Sequence, residues 1–258
     1  MTKKRIAITI TDPNKQATGE ALAYKLNLDI VPAGIQDSSR YEYLLVFTPD
    51  YVGLLKTSDK KFAPFYINFL SGKLQYRLSH AGLRSELLAR ALGAHPRNNP
   101  VIVDATAGLG RDSFLLASLG FRVTMLERSP ILYALLQDAL TRAQTDSRTT
   151  PIIERLKLLE TDAISWLKAC KSSDRPDIVY LDPMFPERQK SASVKKEMVL
   201  LQDLLGKDED SAALLQVALT CATKRVVVKR PRLAAMIAQQ VATFSITGKN
   251  SRFDIYLV

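Results

Sequence analysis

Cysteine and histidine are almost absent from this chain, which has only Cys170, Cys221, His80 and His95 among its 258 residues. The two cysteines lie far apart, each within a helical pattern and outside any Cys-x-x-Cys or Cys/His spacing. A disulfide framework and a zinc site are therefore not expected, and no other metal site suggests itself. Both thiols read as buried and reduced, which points to the cytoplasm. The isolated histidines read as surface or interface residues rather than general bases. Long apolar runs are missing as well. Met1-Thr-Lys-Lys-Arg5 precedes too short an apolar stretch for a signal peptide, and nothing approaches a membrane span.

Positive charge, by contrast, is plentiful: 36 Lys and Arg against 26 Asp and Glu give a net +10, which suits a polyanionic partner. Its distribution says more than its total. Lys224, Arg225, Lys229, Arg230, Arg232, Lys249 and Arg252 face only Asp254 near the C-terminus, while Arg188, Lys190, Lys195 and Lys196 form a second cluster. A charge run can be no more than a solvated face, but both clusters lie close in sequence to a candidate base pocket, so nucleic-acid phosphates are the expected partner.

Two motifs define that pocket. Asp104-Ala-Thr-Ala-Gly108-Leu-Gly110 follows the buried-strand run 101–103 and precedes a helical run over 112–119. Glycine is needed where the backbone turns sharply and approaches a ligand without a Cβ. About twenty residues on, the strand-like run 123–126 ends in Glu127, where Rossmann-like sheets place an acid on a ribose hydroxyl pair. A dinucleotide fits less well than S-adenosylmethionine. Asp104 would repel a pyrophosphate but can receive the ammonium of a methionine moiety, and Ser113 replaces the third glycine of the dinucleotide pattern. The second motif, Asp182-Pro183-Met184-Phe185-Pro186, ends the strand-like run 178–181. It offers a carboxylate, the Pro183 carbonyl and an aromatic face, and it resembles the Asp/Asn-Pro-Pro-Tyr/Phe signature of methyltransferases acting on nucleobase amines. Asp182 and the Pro183 carbonyl are expected to accept the amine hydrogens while Phe185 stacks on the base.

From residue 100 the strands and helices alternate, which predicts an α/β doubly wound parallel sheet with strands also at 156–159 and 225–229 and a closing antiparallel hairpin over 244–257. Its carboxyl ends would gather Asp104, Glu127, Asp162 and Asp182. A small N-terminal α+β domain is expected over 1–75, with strand-like runs at 5–10, 43–48, 52–56 and 65–69, a helix at 18–26 and a linker at 71–77; the larger domain takes 76–258. A helix at 85–92 is expected to close on Gly93, and Ser129-Pro130 opens another. Tyr180 reads as core.

Taken together, the run 103–112, the pair Glu127-Arg128 and Leu181-Asp-Pro-Met-Phe-Pro186 resemble the bacterial small-subunit ribosomal RNA guanine-N2 methyltransferase J family over about residues 70–258. The resemblance implies a Rossmann-like class I methyltransferase fold, S-adenosylmethionine as cofactor, and 16S ribosomal RNA or the small ribosomal subunit as partner. It also implies cofactor contacts at Arg111, Asp112 and Arg128 beside Asp104, Gly108, Gly110, Glu127 and Asp182. Asp162 and Ala163 fall where this class contacts adenine, although Asp162 also suits a helix cap. RNA contacts are expected at Arg84, Arg188, Lys190, Lys229 and Arg230. The segment His80-Ala-Gly-Leu-Arg84 departs from the glycine-rich basic stretch expected there. An adenine-N6 methyltransferase on RNA or DNA, a non-catalytic RNA-binding assembly factor and a Rossmann oxidoreductase remain alternatives.

Overall fold

The computed structural model describes residues 5–34, 39–59, 63–183, 196–206 and 210–258. The chain divides into two compact units. The first takes Met1–Asn68, Ala134–Arg142 and Glu187–Gly206; the second takes Phe69–Tyr133, Ala143–Pro186 and Lys207–Val258. No helix among the described residues is long and apolar enough to cross a membrane.

In the first unit, β1 (Ile6–Ile10), α1 (Gln16–Leu26), β2 (Asp29–Ile30), β3 (Tyr43–Phe47) and β4 (Val52–Lys56) build a sheet of order β2-β1-β3-β4. All its pairings are parallel except the β3–β4 hairpin. Every residue of β3 is buried, which is why its sequence is continuously apolar rather than alternating. The strand expected over 65–69 does not form. Phe65 alone exchanges backbone bonds with Leu54, at 2.7 and 2.8 Å. The Ile67 carbonyl accepts instead from the Arg142 guanidinium, and Tyr66 stacks on Tyr51.

The second unit begins with α2 (Gly72–Ser79) and α3 (Leu87–Leu92). The helix α2 stands where a linker was expected. Its Ser-Gly start reads as loop chemistry, but Leu74 and Leu78 share one face at helical spacing while Tyr76 and Arg77 stay exposed. Gly93 closes α3 with a left-handed backbone, φ 57°, as expected.

A seven-stranded sheet follows, built from β5 (Ile102–Asp104), β6 (Val123–Glu127), β7 (Leu156–Glu160), β8 (Ile178–Leu181), β9 (Arg225–Pro231), β10 (Phe244–Thr247) and β11 (Ser251–Leu257). Its order is β10-β11-β9-β8-β5-β6-β7, and only β11 runs against the others, pairing antiparallel with both β9 and β10. The remaining helices of the chain are α4 (Arg111–Ser118), α5 (Pro130–Gln144), α6 (Thr150–Ile153), α7 (Ala163–Ala169), α8 (Lys196–Leu205) and α9 (Ser211–Cys221), of which α8 and the middle of α5 belong to the first unit. This is the doubly wound architecture with a C-terminal antiparallel hairpin that the sequence predicts.

One face of the sheet, through Val103, Val179, Leu181, Val226 and Val228, packs on Ala163 and Leu167 of α7 and on Leu214, Leu215 and Ala218 of α9. Each buried leucine there stabilises the fold by about 1.5–3 kcal/mol relative to exposure. Alternation sends Asp104, Tyr180 and Lys229 to the opposite face. The chain runs outward from β5 through β6 to β7, then returns to β8 on the other side of β5. That reversal opens a crevice at the carboxyl ends of β5 and β8.

Candidate active site

Each acid expected at a strand end is there, and each is held by a specific donor. Asp104, at the end of β5, is only 2 % exposed. Its Oδ1 accepts from the Thr106 amide at 3.1 Å and its Oδ2 from the Ser113 hydroxyl at 2.6 Å. Burial pushes its carboxyl up to about 7, against those two hydrogen bonds. Ser113, at the position of the third glycine in a dinucleotide fingerprint, thus serves the acid.

Glu127 ends β6, where Oε2 accepts from the Gly108 amide at 3.0 Å and Oε1 from the Ser129 amide at 2.7 Å. One side chain therefore ties the glycine turn to the end of its own strand. Gly108 and Gly110 both have left-handed backbones, φ 54° and 68°. A Cβ built on Gly108 would meet nothing nearer than the Thr106 carbonyl at 3.7 Å, so the turn presents open backbone. Asp162 caps α7: its Oδ1 accepts the Ser165 amide and hydroxyl, each at 2.8 Å, which leaves Oδ2 for an exocyclic amine. Ala163 behind it is buried. These residues fit an adenosine carrying a cationic amino acid, with acids spaced for ribose, adenine and ammonium, and the buried carboxyl of Asp104 beside the turn is unsuited to a pyrophosphate.

Asp182 lies beyond β8, and its backbone N–H donates to Thr106 Oγ1 at 2.6 Å, which joins the two motifs directly. Its Oδ2 accepts from Lys229 Nζ at 2.7 Å, and the same ammonium lies 2.6 Å from Asp112 Oδ2. Asp112 also accepts from the Tyr180 hydroxyl at 2.7 Å and faces Arg77 at 3.7 Å. Although burial works the other way, Lys229, Tyr180 and Arg77 hold Asp112 below the usual carboxylate range. Burial pushes Asp182 up to about 6, with Lys229 opposing and Asp112 assisting. Pro183 is buried; Phe185, Arg188 and Lys190 lie outside the described residues. Arg111 is half-buried at the start of α4, Arg128 is exposed and paired with Asp210, and Arg84 is exposed.

The basic C-terminal run is not the phosphate-facing surface expected from its composition. Arg230 is 5 % exposed and its guanidinium donates to the Ala235 carbonyl, so it is withdrawn from any phosphate. Lys229 is engaged by two carboxylates. Arg225 donates to the Ala91 carbonyl at 3.1 Å, Lys224 pairs with Asp177, and Arg252 pairs with the buried Asp254. Among the described residues of that run, Arg232 and Lys249 stand exposed. Strand alternation accounts for the split: neighbours 229 and 230 of β9 point to opposite faces. Tyr180, read as simple core, is buried but also carries a hydroxyl into the site. Thr106, Ser113 and Arg77 were not anticipated. The register of β8 and β9, which sets Leu181 beside Val228, is the signal that would have placed Lys229 beside Asp182.

A family described as putative SAM-dependent methyltransferase matches residues 30–258. Among curated relatives, a ribosomal RNA small subunit methyltransferase J of Aeromonas salmonicida is 44 % identical over 252 residues, 97 % of either chain. Its namesake in Thioalkalivibrio sulfidiphilus is 43 % identical over 100 % of this chain and 99 % of its own. The chain belongs to the ribosomal RNA small subunit methyltransferase J family. A crystal structure of a SAM-dependent methyltransferase from Neisseria gonorrhoeae superposes with a TM-score of 0.74 at 36 % identity, covering 97 % of this chain and 95 % of that one. Membership in the J family settles the class of reaction: the protein is an S-adenosylmethionine-dependent methyltransferase with a Rossmann-like class I fold, and the oxidoreductase reading falls away.

Proposed function

We propose that the protein methylates the exocyclic N2 amine of a guanine in 16S ribosomal RNA, in the cytoplasm, with Asp182 orienting the amine. The observation that carries this reading is the placement of Asp182 at the sheet's switch point, its amide tied to Thr106 and its carboxylate directed by Lys229. The names of the J-family relatives support a small-subunit RNA substrate. Asp104, Gly108, Gly110, Glu127, Asp162 and Ala163 would hold S-adenosylmethionine, with Arg111, Asp112 and Arg128 at its margin. When bound, the cofactor supplies a methyl group already activated on a sulfonium that leaves as a neutral thioether.

Little acid–base machinery is then required, and positioning dominates. The lone pair of an aromatic amine is delocalised into its ring. Asp182 and the Pro183 carbonyl accept the two amine hydrogens and turn the lone pair out of the ring plane, while Phe185 holds the base flat. The nitrogen bonds the methyl carbon as the carbon–sulfur bond breaks and sheds one hydrogen as a proton, which the Asp182 carboxylate would accept. Arg84, with Arg188 and Lys190, would meet RNA phosphates.

The test is mass mapping of ribosomal RNA nucleosides from cells lacking the protein, followed by restoration with purified enzyme. Loss and recovery of one N2-methylguanine supports the reading. A methylated adenine in its place moves the protein to the adenine-N6 alternative, and an unchanged nucleoside profile contradicts both.

A further inference from the structure

Lys229 and Asp182 meet because of sheet register. Parallel pairing matches Ile178 with Arg225 and Leu181 with Val228, so the next positions, Asp182 and Lys229, fall side by side on the face that also carries Tyr180. The ammonium then spans 2.7 Å to Asp182 Oδ2 and 2.6 Å to Asp112 Oδ2. We propose that Lys229 is a positioning residue for methyl transfer: its bridge between Asp112 and Asp182 commits one oxygen of Asp182 to the protein, aims the other at the target amine, and keeps that carboxylate an acceptor. The inference rests on the reading of Asp182 as the group that orients the amine.

The two acids are not equivalent. The Asp182 side chain is 37 % exposed and that of Asp112 only 14 %, so Asp182 is the one open to a reactant. Asp112 has the anchoring partners, with the Tyr180 hydroxyl on Oδ2 and Arg77 facing Oδ1. Tyr180, Asp112 and Arg77 thus fix one end of the bridge and Lys229 transmits that anchorage to Asp182. A phosphate would have to draw the ammonium away from two carboxylates at hydrogen-bond distance, which argues against the contact expected from sequence.

Charge leads the same way. With Lys229 in place the trio sums to one negative charge; without it two carboxylates share a half-buried site near a third, Asp104. Like charges so placed force one of them to take up a proton. Asp182 already stands at about 6, raised by burial and by Asp112 and held down by Lys229, so it is the acid that would protonate. Among the described residues the charged or titratable groups around it are Lys229 on β9, Asp112 on α4, Asp104 on β5 and Tyr180 on β8, with Arg77 of α2 acting through Asp112.

The experiment is the pH profile of single-turnover methyl transfer by the full chain at saturating S-adenosylmethionine and small-subunit RNA, from about pH 5 to about pH 8.5. For Lys229→Gln the acid limb should move up by about one unit or more, with the rate at pH 7 falling about twofold for a one-unit move and about tenfold for a two-unit move, and recovering as pH rises. Lys229→Arg should keep the limb near its wild-type position. The salt slope of RNA binding should not change. An unmoved limb in Lys229→Gln, or an intact rate with a salt slope reduced by about one, overturns the proposal in favour of a phosphate contact. If Lys229→Gln does not fold, Asp112→Asn/Lys229→Gln removes one charge of each sign. Its limb should still lie above wild type, because Lys229 acts on Asp182 more strongly than Asp112 does; a limb at or below wild type overturns the proposal. Asp182→Asn separates the premises. A wild-type rate and limb there sinks the Asp182 reading itself, whereas loss of the limb there with no shift in Lys229→Gln sinks the Lys229 inference alone.

Discussion

Burial drives the Asp104 carboxyl up to about 7 from an ordinary 3.8, so the folded protein holds a proton there that the unfolded chain releases. The sign follows from linkage: this contribution to stability is full below about pH 4 and is lost as pH rises through about 7. Asp104→Asn carries no such penalty, so its melting temperature relative to wild type should be more favourable at pH 8 than at pH 5; a difference that is flat or reversed would contradict the assignment. The same carboxyl is proposed to receive the cofactor's ammonium, which favours the ionised form. Cofactor affinity should therefore rise with pH through about 7, with protons released on binding near pH 6.5, detectable by calorimetry in buffers of different ionisation enthalpy. Absence of proton release, or its persistence in Asp104→Asn, would count against that role. Glu127 differs in kind, because Gly108 and Ser129 amides already fix it. Glu127→Ala should weaken S-adenosylmethionine binding by about 1–3 kcal/mol, the range for a charged hydrogen bond; unaltered affinity in a folded variant sinks the ribose assignment.

The helix α2 shows where local sequence runs out. Its Ser71-Gly72 opening reads as a loop, and what favours a helix is the partial burial of Leu74 and Leu78 on a shared face. Its other side exposes Tyr76 at 68 %, with the His80 ring 4.2 Å away, while Arg77 reaches Asp112 and Arg84 follows. An exposed aromatic next to a cation that reaches Asp112 suits single-stranded RNA held at the proposed base site. Tyr76→Ala should weaken RNA binding by about 1–3 kcal/mol with its salt slope unchanged, whereas Arg84→Ala should lower the slope by about one. Binding titrations over a salt series would expose the opposite pattern. The strands carrying Asp104, Glu127 and Asp182 were legible because fully buried parallel strands are apolar runs ended by their functional acids. The run 65–69 looked similar, but a lone strand-like stretch does not reveal whether a partner edge exists for it. The Lys229–Asp182 pair was hidden for a related reason, since register belongs to two strands more than forty residues apart in sequence.

The net charge of +10 is not spread as composition suggests. Much of the C-terminal excess is engaged within the chain, Lys229 by Asp112 and Asp182, Arg252 by Asp254, Arg225 by the Ala91 carbonyl and the exposed Lys224 by Asp177. Charge that pairs inside the fold supports the site, and the remainder is available to steer a polyanion. Such steering explains encounter and affinity, but the methyl transfer depends on how the amine is held. The most direct measurement is single-turnover transfer from labelled S-adenosylmethionine to small-subunit RNA by Asp182→Ala, with cofactor affinity measured in parallel. The rate should fall at least about tenfold, roughly 1.4 kcal/mol of barrier, while cofactor affinity changes far less. Near-normal transfer by that variant would contradict the account.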